Sequence, residues 1–130
     1  MHSRRSILIA AVAVSCGVLT PAFAMSPQPF DATAFAAAQK NGKPILVAVH
    51  ASWCPTCKAQ RPILSDLLAG PKFGNFTYFV IDFDSQKDLV QRFGVRKQST
   101  LIAFKGSQEE ARSVGDTNRD SIAALLNKAL

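Results

Sequence analysis

The sequence predicts an α/β domain with a central mixed four-stranded sheet flanked by helices. Three observations carry that expectation. Ile45-Leu46-Val47-Ala48-Val49-His50 is a nearly continuous apolar run of strand length, as in a strand buried on both faces of a parallel sheet. A second such run, Phe76 to Asp82, follows after one helical pattern, and strands joined that way lie parallel with a right-handed crossover. Two later strand-like runs are separated only by Lys105-Gly106-Ser107, which fits a hairpin.

The first 24 residues read as a cleavable export signal rather than part of the fold. Arg4 and Arg5 form a positive start, Ile7 to Leu19 an apolar stretch, and Ala22-Phe23-Ala24 a small-x-small cleavage site. The apolar stretch is short for a membrane anchor and is interrupted by Ser15, Cys16 and Gly17, so no stable membrane insertion is expected once it is removed. Ser3-Arg4-Arg5 resembles the twin-arginine pattern without its aromatic residue and lysine, which leaves that route and the general secretory route both open. Residues 25–130 then form one domain, exported to the periplasm or an equivalent compartment.

Pro27 and Pro29 mark an extended lead-in. Asp31 is a good N-cap for a helix over Ala32 to Gln39 that Asn41-Gly42 ends. The strand over 45–50 comes next. Helical spacing of Ile63, Leu64, Leu67 and Leu68 gives a helix from Cys54 to Leu68, closed by Gly70-Pro71 and kinked at Pro62. The Phe76–Asp82 strand leads to a short helix over Lys87 to Phe93. Ser99 to Phe104 and Ala111 to Val114 are the hairpin strands. A last helix from Arg119 to Ala129 turns Ile122, Leu125 and Leu126 inward. The order is α-β-α-β-α-β-β-α.

With Arg4 and Arg5 removed, 13 Lys and Arg face 9 Asp and Glu, a net charge of +4. The basic residues are scattered, which excludes a nucleic-acid stripe. Of the three cysteines, Cys16 leaves with the signal and Cys54 and Cys57 remain, spaced C-x-x-C. Export favours oxidised thiols, but so small a ring constrains the unfolded chain very little, and structure alone is a poor reason for the pair.

Chemistry is a better one. Cys54 falls where a buried strand gives way to a helix, and the unpaired N–H groups and dipole of a helix start stabilise an anion. The thiolate is that anion and is the form that attacks a disulfide. Pro55 suits the first helical turn, where a missing N–H costs nothing. Cys57, one turn on and expected to be the more buried, can reach Cys54 and displace a mixed disulfide. Cys54 is therefore the expected nucleophile and Cys57 the resolving thiol. Trp53 beside them reads as a partly exposed apolar platform. Two cysteines with His50 as the one histidine after residue 24 make too few ligands for a structural metal, so neither metal nor other cofactor is expected.

In this setting the sequence resembles the thioredoxin family across nearly all of the chain from Phe30. The resemblance rests on Ala51-Ser52-Trp53-Cys54-Pro55-Thr56-Cys57-Lys58 after a buried strand, Pro62, Asp82-Phe83-Asp84, Phe93-Gly94-Val95-Arg96, Thr100-Leu101-Ile102-Ala103-Phe104-Lys105-Gly106, and Gly115. It implies a thioredoxin-like fold and a thiol–disulfide oxidoreductase working on protein thiols and disulfides. A redox partner is then required, either a membrane-bound electron carrier or another protein of the same fold. Trp53, Pro55, Thr56, Ser99 and Thr100 become candidate substrate-binding or modulating residues. The family includes reductants, oxidants and isomerases, so the direction of electron flow stays open.

Three positions depart from the family pattern. Ser99 stands where a cis-proline is usual, and its peptide bond is expected to be trans because a non-proline cis bond costs about 2.5–4 kcal/mol. Its hydroxyl is a candidate partner for a site sulfur or a substrate backbone. Ala48 and Val80 replace a buried acid and its lysine companion, which leaves the proton of Cys57 without its usual manager. His50 replaces an aromatic residue. Turned toward the active-site helix, its charge would favour the Cys54 thiolate; turned away, it is an ordinary buried histidine. Two other classes compete with the enzyme: a metal or [2Fe–2S] binder using the same cysteines, and a non-catalytic module docking partners through the Trp53 surface.

Overall fold

The computed structural model describes Gly17 and residues 26–130. The expected export signal, residues 1–24, therefore lies outside the described residues apart from Gly17. The described elements are β1 (Gln28–Pro29), α1 (Ala32–Lys40), β2 (Pro44–His50), α2 (Pro55–Ala69), β3 (Thr77–Asp82), α3 (Lys87–Arg92), β4 (Thr100–Lys105), β5 (Gln108–Val114) and α4 (Arg119–Asn127). They build a thioredoxin-like α/β fold on one sheet of order β1-β3-β2-β4-β5. β1 and β2 run parallel to β3, β4 antiparallel to β2, and β5 antiparallel to β4.

The sheet has five strands, not the expected four. The additional one is the proline-rich lead-in: Gln28 pairs with Phe79 and Pro29 with Val80, and the Phe30 N–H donates to the Val80 carbonyl at 2.9 Å. Two residues carry no period-2 signal, and proline reads as a strand breaker. An edge strand tolerates it because only one side of the backbone must pair. β5 also begins earlier than expected, at Gln108, and Gly106-Ser107 alone form the turn. Glu109 and Glu110 hide the strand from a hydrophobicity reading, and such charges suit an edge that must not recruit another chain.

Strand alternation divides the core in two. Leu46 and Ala48 of β2 join Leu64, Leu68, Phe76, Leu101, Ile122 and Leu126 on the face covered by α2 and α4. Ile45, Val47 and Val49 join Phe30, Phe35, Phe79 and Phe104 on the face covered by α1 and α3. There Phe30, Phe35, Phe79, Phe93 and Phe104 stack at centroid separations of 5.2–6.2 Å, within the range of favourable tilted and edge-to-face pairs. Asp31 caps α1 by accepting from the Ala34 N–H at 2.7 Å, and Gly70 closes α2, both as expected. Pro62 lies within α2, which continues through it to Ala69.

Candidate active site

β2, the central strand, delivers the chain to one end of the sheet at His50, and a short turn brings it to Cys54, the N-cap of α2. Cys54 is extended, with φ −83° and ψ 111°, and Pro55 occupies the first helical turn. The Cys57 backbone N–H donates to the Cys54 sulfur at 3.1 Å. One of the free donors at the helix start thus points at the atom that must carry negative charge. The two cysteines form a disulfide with their Cα atoms 5.3 Å apart. Their exposures are 3% and 2%, so burial does not separate nucleophile from resolving thiol. Position at the helix start does.

Trp53 is 58% exposed and held by one bond, its indole N–H donating to the Asp84 carboxylate at 2.7 Å. Asp82 organises that corner in turn, accepting the Asp84 and Ser85 N–H groups at 2.9 and 2.8 Å. These bonds, that from the Ser85 N–H foremost, hold the Asp82 carboxyl below the ordinary value. Pro55 and Thr56 fill the turn between the cysteines.

Across from the cysteines, the loop before β4 is firmly tied. Among the described residues no peptide bond is cis, and Ser99 adopts φ 62°. Its N–H donates to the Val49 carbonyl at 2.7 Å, and its carbonyl accepts from the Gly115 N–H at 3.0 Å. Its hydroxyl donates to the Gln98 carbonyl at 2.5 Å, leaving the disulfide without the Ser99 contact considered from the sequence. Thr100 closes the loop by donating its hydroxyl to the Lys97 carbonyl at 2.7 Å.

Sequence reasoning missed Gln60. It is buried on α2, and its amide donates to the carbonyls of Ser99 at 3.2 Å and Asp116 at 2.8 Å. The active-site helix is thereby bolted to both loops beside it. The available signal was a polar residue within the inward stripe formed by Cys57, Leu64, Leu67 and Leu68.

Behind Cys57 lies a cavity of about 330 Å³, walled by Ala48, Leu64, Tyr78 and Val80, with His50, Gln60, Arg61 and Asp82 also lining it. His50 is therefore on the side of the active-site helix. Its electrostatic character differs from the cationic role considered from the sequence: burial first, and the nearby Arg61 guanidinium second, push the imidazole below its ordinary value against the opposing pull of Asp82. Both effects favour the neutral imidazole. Its Nδ1 is buried without a hydrogen-bond partner. Among the described residues no group of three or more His, Cys, Asp or Glu side chains is placed to hold a metal ion.

A dithiol at the start of a helix that leaves the centre of a mixed α/β sheet defines a thiol–disulfide oxidoreductase. The Thioredoxin family profile matches residues 26–128, and the chain belongs to that family. It is 37% identical over 84 residues to the thioredoxin of Chlamydia muridarum, covering 65% of this chain and 80% of that protein. It is 34% identical over 88 residues to the thioredoxin of Pseudomonas aeruginosa, covering 68% and 81%. Among solved structures, Trxlp from Edwardsiella tarda superposes with a TM-score of 0.75 at 42% identity, covering 78% of this chain and 98% of that one.

Proposed function

We propose that this thiol–disulfide oxidoreductase is exported and exchanges disulfides with other proteins, using Cys54 as nucleophile and Cys57 as resolving thiol. The observation that carries the assignment of roles is the Cys57 N–H directed at the Cys54 sulfur. In the reducing direction, the Cys54 thiolate attacks a substrate disulfide and one substrate thiolate leaves. Cys57 then attacks the Cys54 sulfur of the mixed disulfide and releases the second. The reverse sequence oxidises a dithiol. Support for a protein substrate comes from Trp53 and Val114, large apolar side chains 58% and 55% exposed at the end of the sheet where β2 and β5 finish. Support for export comes from Arg4, Arg5, the apolar run and Ala22-Phe23-Ala24.

The direction of electron flow follows the reduction potential. A value near that of protein disulfide isomerase, about −180 mV, makes the protein an oxidant, and one well below it a reductant. The redox partner is a membrane-bound electron carrier or a second thioredoxin-fold protein that resets the pair. Cys54→Ser is expected to bring catalysed disulfide exchange with a protein substrate such as insulin to the uncatalysed rate. Cys57→Ala is expected to accumulate a mixed disulfide on Cys54 in cells, on a form whose N-terminus is Met25. Catalysed exchange retained in Cys54→Ser would overturn Cys54 as the nucleophile, function in cells left intact by Cys54→Ser would assign the surface to docking alone, and an N-terminus at Met1 in the cytosolic fraction would overturn export.

A further inference from the structure

We propose that His50 is the proton acceptor for the Cys57 thiol, working across the cavity that the two residues share. Resolution of the mixed disulfide requires Cys57 to lose a proton, because the thiol is a poor nucleophile. A thiol walled by Ala48, Leu64 and Val80 gets no help from those side chains. The titratable or charged groups lining the cavity besides Cys57 are His50 from β2, Arg61 from α2, and Tyr78 and Asp82 from β3; the N-terminal wall, Pro27, Gln28 and Pro29, has none. Arg61 offers only N–H donors and no lone pair to take a proton. Tyr78 is raised above its ordinary value by burial and keeps its proton. Asp82 spends an oxygen on two backbone N–H groups and is correspondingly weak as a base.

His50 remains. It has a free lone pair at neutral pH, and its buried Nδ1 lacks a partner. Asp82, its neighbour across the β2–β3 ladder, favours the imidazolium that would form. The cavity has room for water at roughly 30 Å³ per molecule, so a relayed proton can cross it. The balance is complete: the Cys57 proton passes to the imidazole, the Cys57 sulfur bonds to the Cys54 sulfur, and the bond from Cys54 to the substrate breaks. The substrate sulfur leaves with the electron pair and afterwards takes the proton from His50 through water. Two electrons pass from the dithiol to the substrate.

The inference rests on the exchange cycle at Cys54 and Cys57, and one experiment separates the two. Reduced protein is mixed in stopped flow with a chromogenic aromatic disulfide. The first thiolate released reports attack by Cys54, and the second reports resolution by Cys57. His50→Gln is expected to slow the second release roughly tenfold or more at pH 7, less than the full 10²–10⁴-fold of a general base because a free thiol of pKa about 8.5 is already a few per cent thiolate there, while the first changes less than about twofold. In the parent the second rate should level off above the imidazole's pKa. In His50→Gln it should keep rising with pH toward a free thiol's value of about 8.5. Equal second-phase rates and profiles in the two proteins overturn the proposal. If the variant does not fold, the parent decides: a second phase that rises with pH up to a thiol's own pKa, without an earlier plateau, overturns it. Absence of the first phase in the parent would instead overturn the roles assigned to the cysteines.

Discussion

Gln60 ties three chain segments together with one side chain. Its amide serves the carbonyls of Ser99 and Asp116, and Ser99 itself holds φ 62°, a region that costs an L-residue about 1–2 kcal/mol. The surrounding bonds must offset that cost, and those of Gln60 join the Ser99 and Thr100 hydroxyls in the side-chain share. Gln60→Leu, close in size but without the amide, is expected to destabilise the oxidised protein by about 1–3 kcal/mol, because buried acceptors lose their donor. A lowered urea midpoint with unchanged slope would show it; an unchanged midpoint would mean that the loops hold themselves. Such ties explain which parts of the site could be read in advance. Cys54, Pro55 and Cys57 were legible because their chemistry is local, set by a strand end and a helix start. Gln60, Arg61 and Asp82 acquire their roles only from contacts across the fold, which no spacing along the chain encodes. His50 was half legible: alternation puts it with Leu46 and Ala48, but which helices cover that face is a fact of topology.

β1 shows how little backbone an element needs when a side chain anchors it. Gln28 and Pro29 contribute two ladder positions, whereas Phe30, just beyond, inserts its ring 5.2, 5.6 and 5.4 Å from those of Phe35, Phe79 and Phe93. The anchor also holds Pro27, Gln28 and Pro29 against the cavity behind Cys57. Phe30→Ala is expected to cost about 3 kcal/mol, the lower end for a buried aromatic, and to lower Tm by more than about 10 °C. A shift of only a few degrees would show that β1 and its aromatic cluster contribute little to the fold. β2, β3 and α2 were legible because continuous apolar runs and helical spacing persist over a strand or several turns, and because Gly70 ends α2 cleanly. β1 and the first half of β5 are edge segments, and an edge buries too little to leave an apolar pattern.

For the whole molecule, the arrangement of charge around the site predicts how stability responds to pH. The chain has two histidines, His2 and His50, so in protein prepared from residues 25–130 any histidine-linked behaviour belongs to His50. Its folded pKa is lowered by burial and by Arg61, which means that the unfolded chain takes up its proton first as pH falls. Stability from this source is fully present above about 6.5, the unfolded value, and is lost as pH falls from there toward the folded pKa. Asp82, lowered by the N–H groups it accepts, acts in a separate window: its contribution is present above the ordinary carboxylate value and declines below it. Tyr78, raised by burial, adds stability that declines only above its ordinary value of about 10. Using the oxidised protein keeps the paired cysteines silent, so urea midpoints between pH 5 and pH 7.5 isolate the histidine. The midpoint is expected to fall between pH 6.5 and pH 5 in the parent and to stay nearly level over that interval in His50→Gln. A slope that survives the substitution would assign the effect to other groups and deny that His50 sits neutral behind Cys57, the condition on which its use as a base depends.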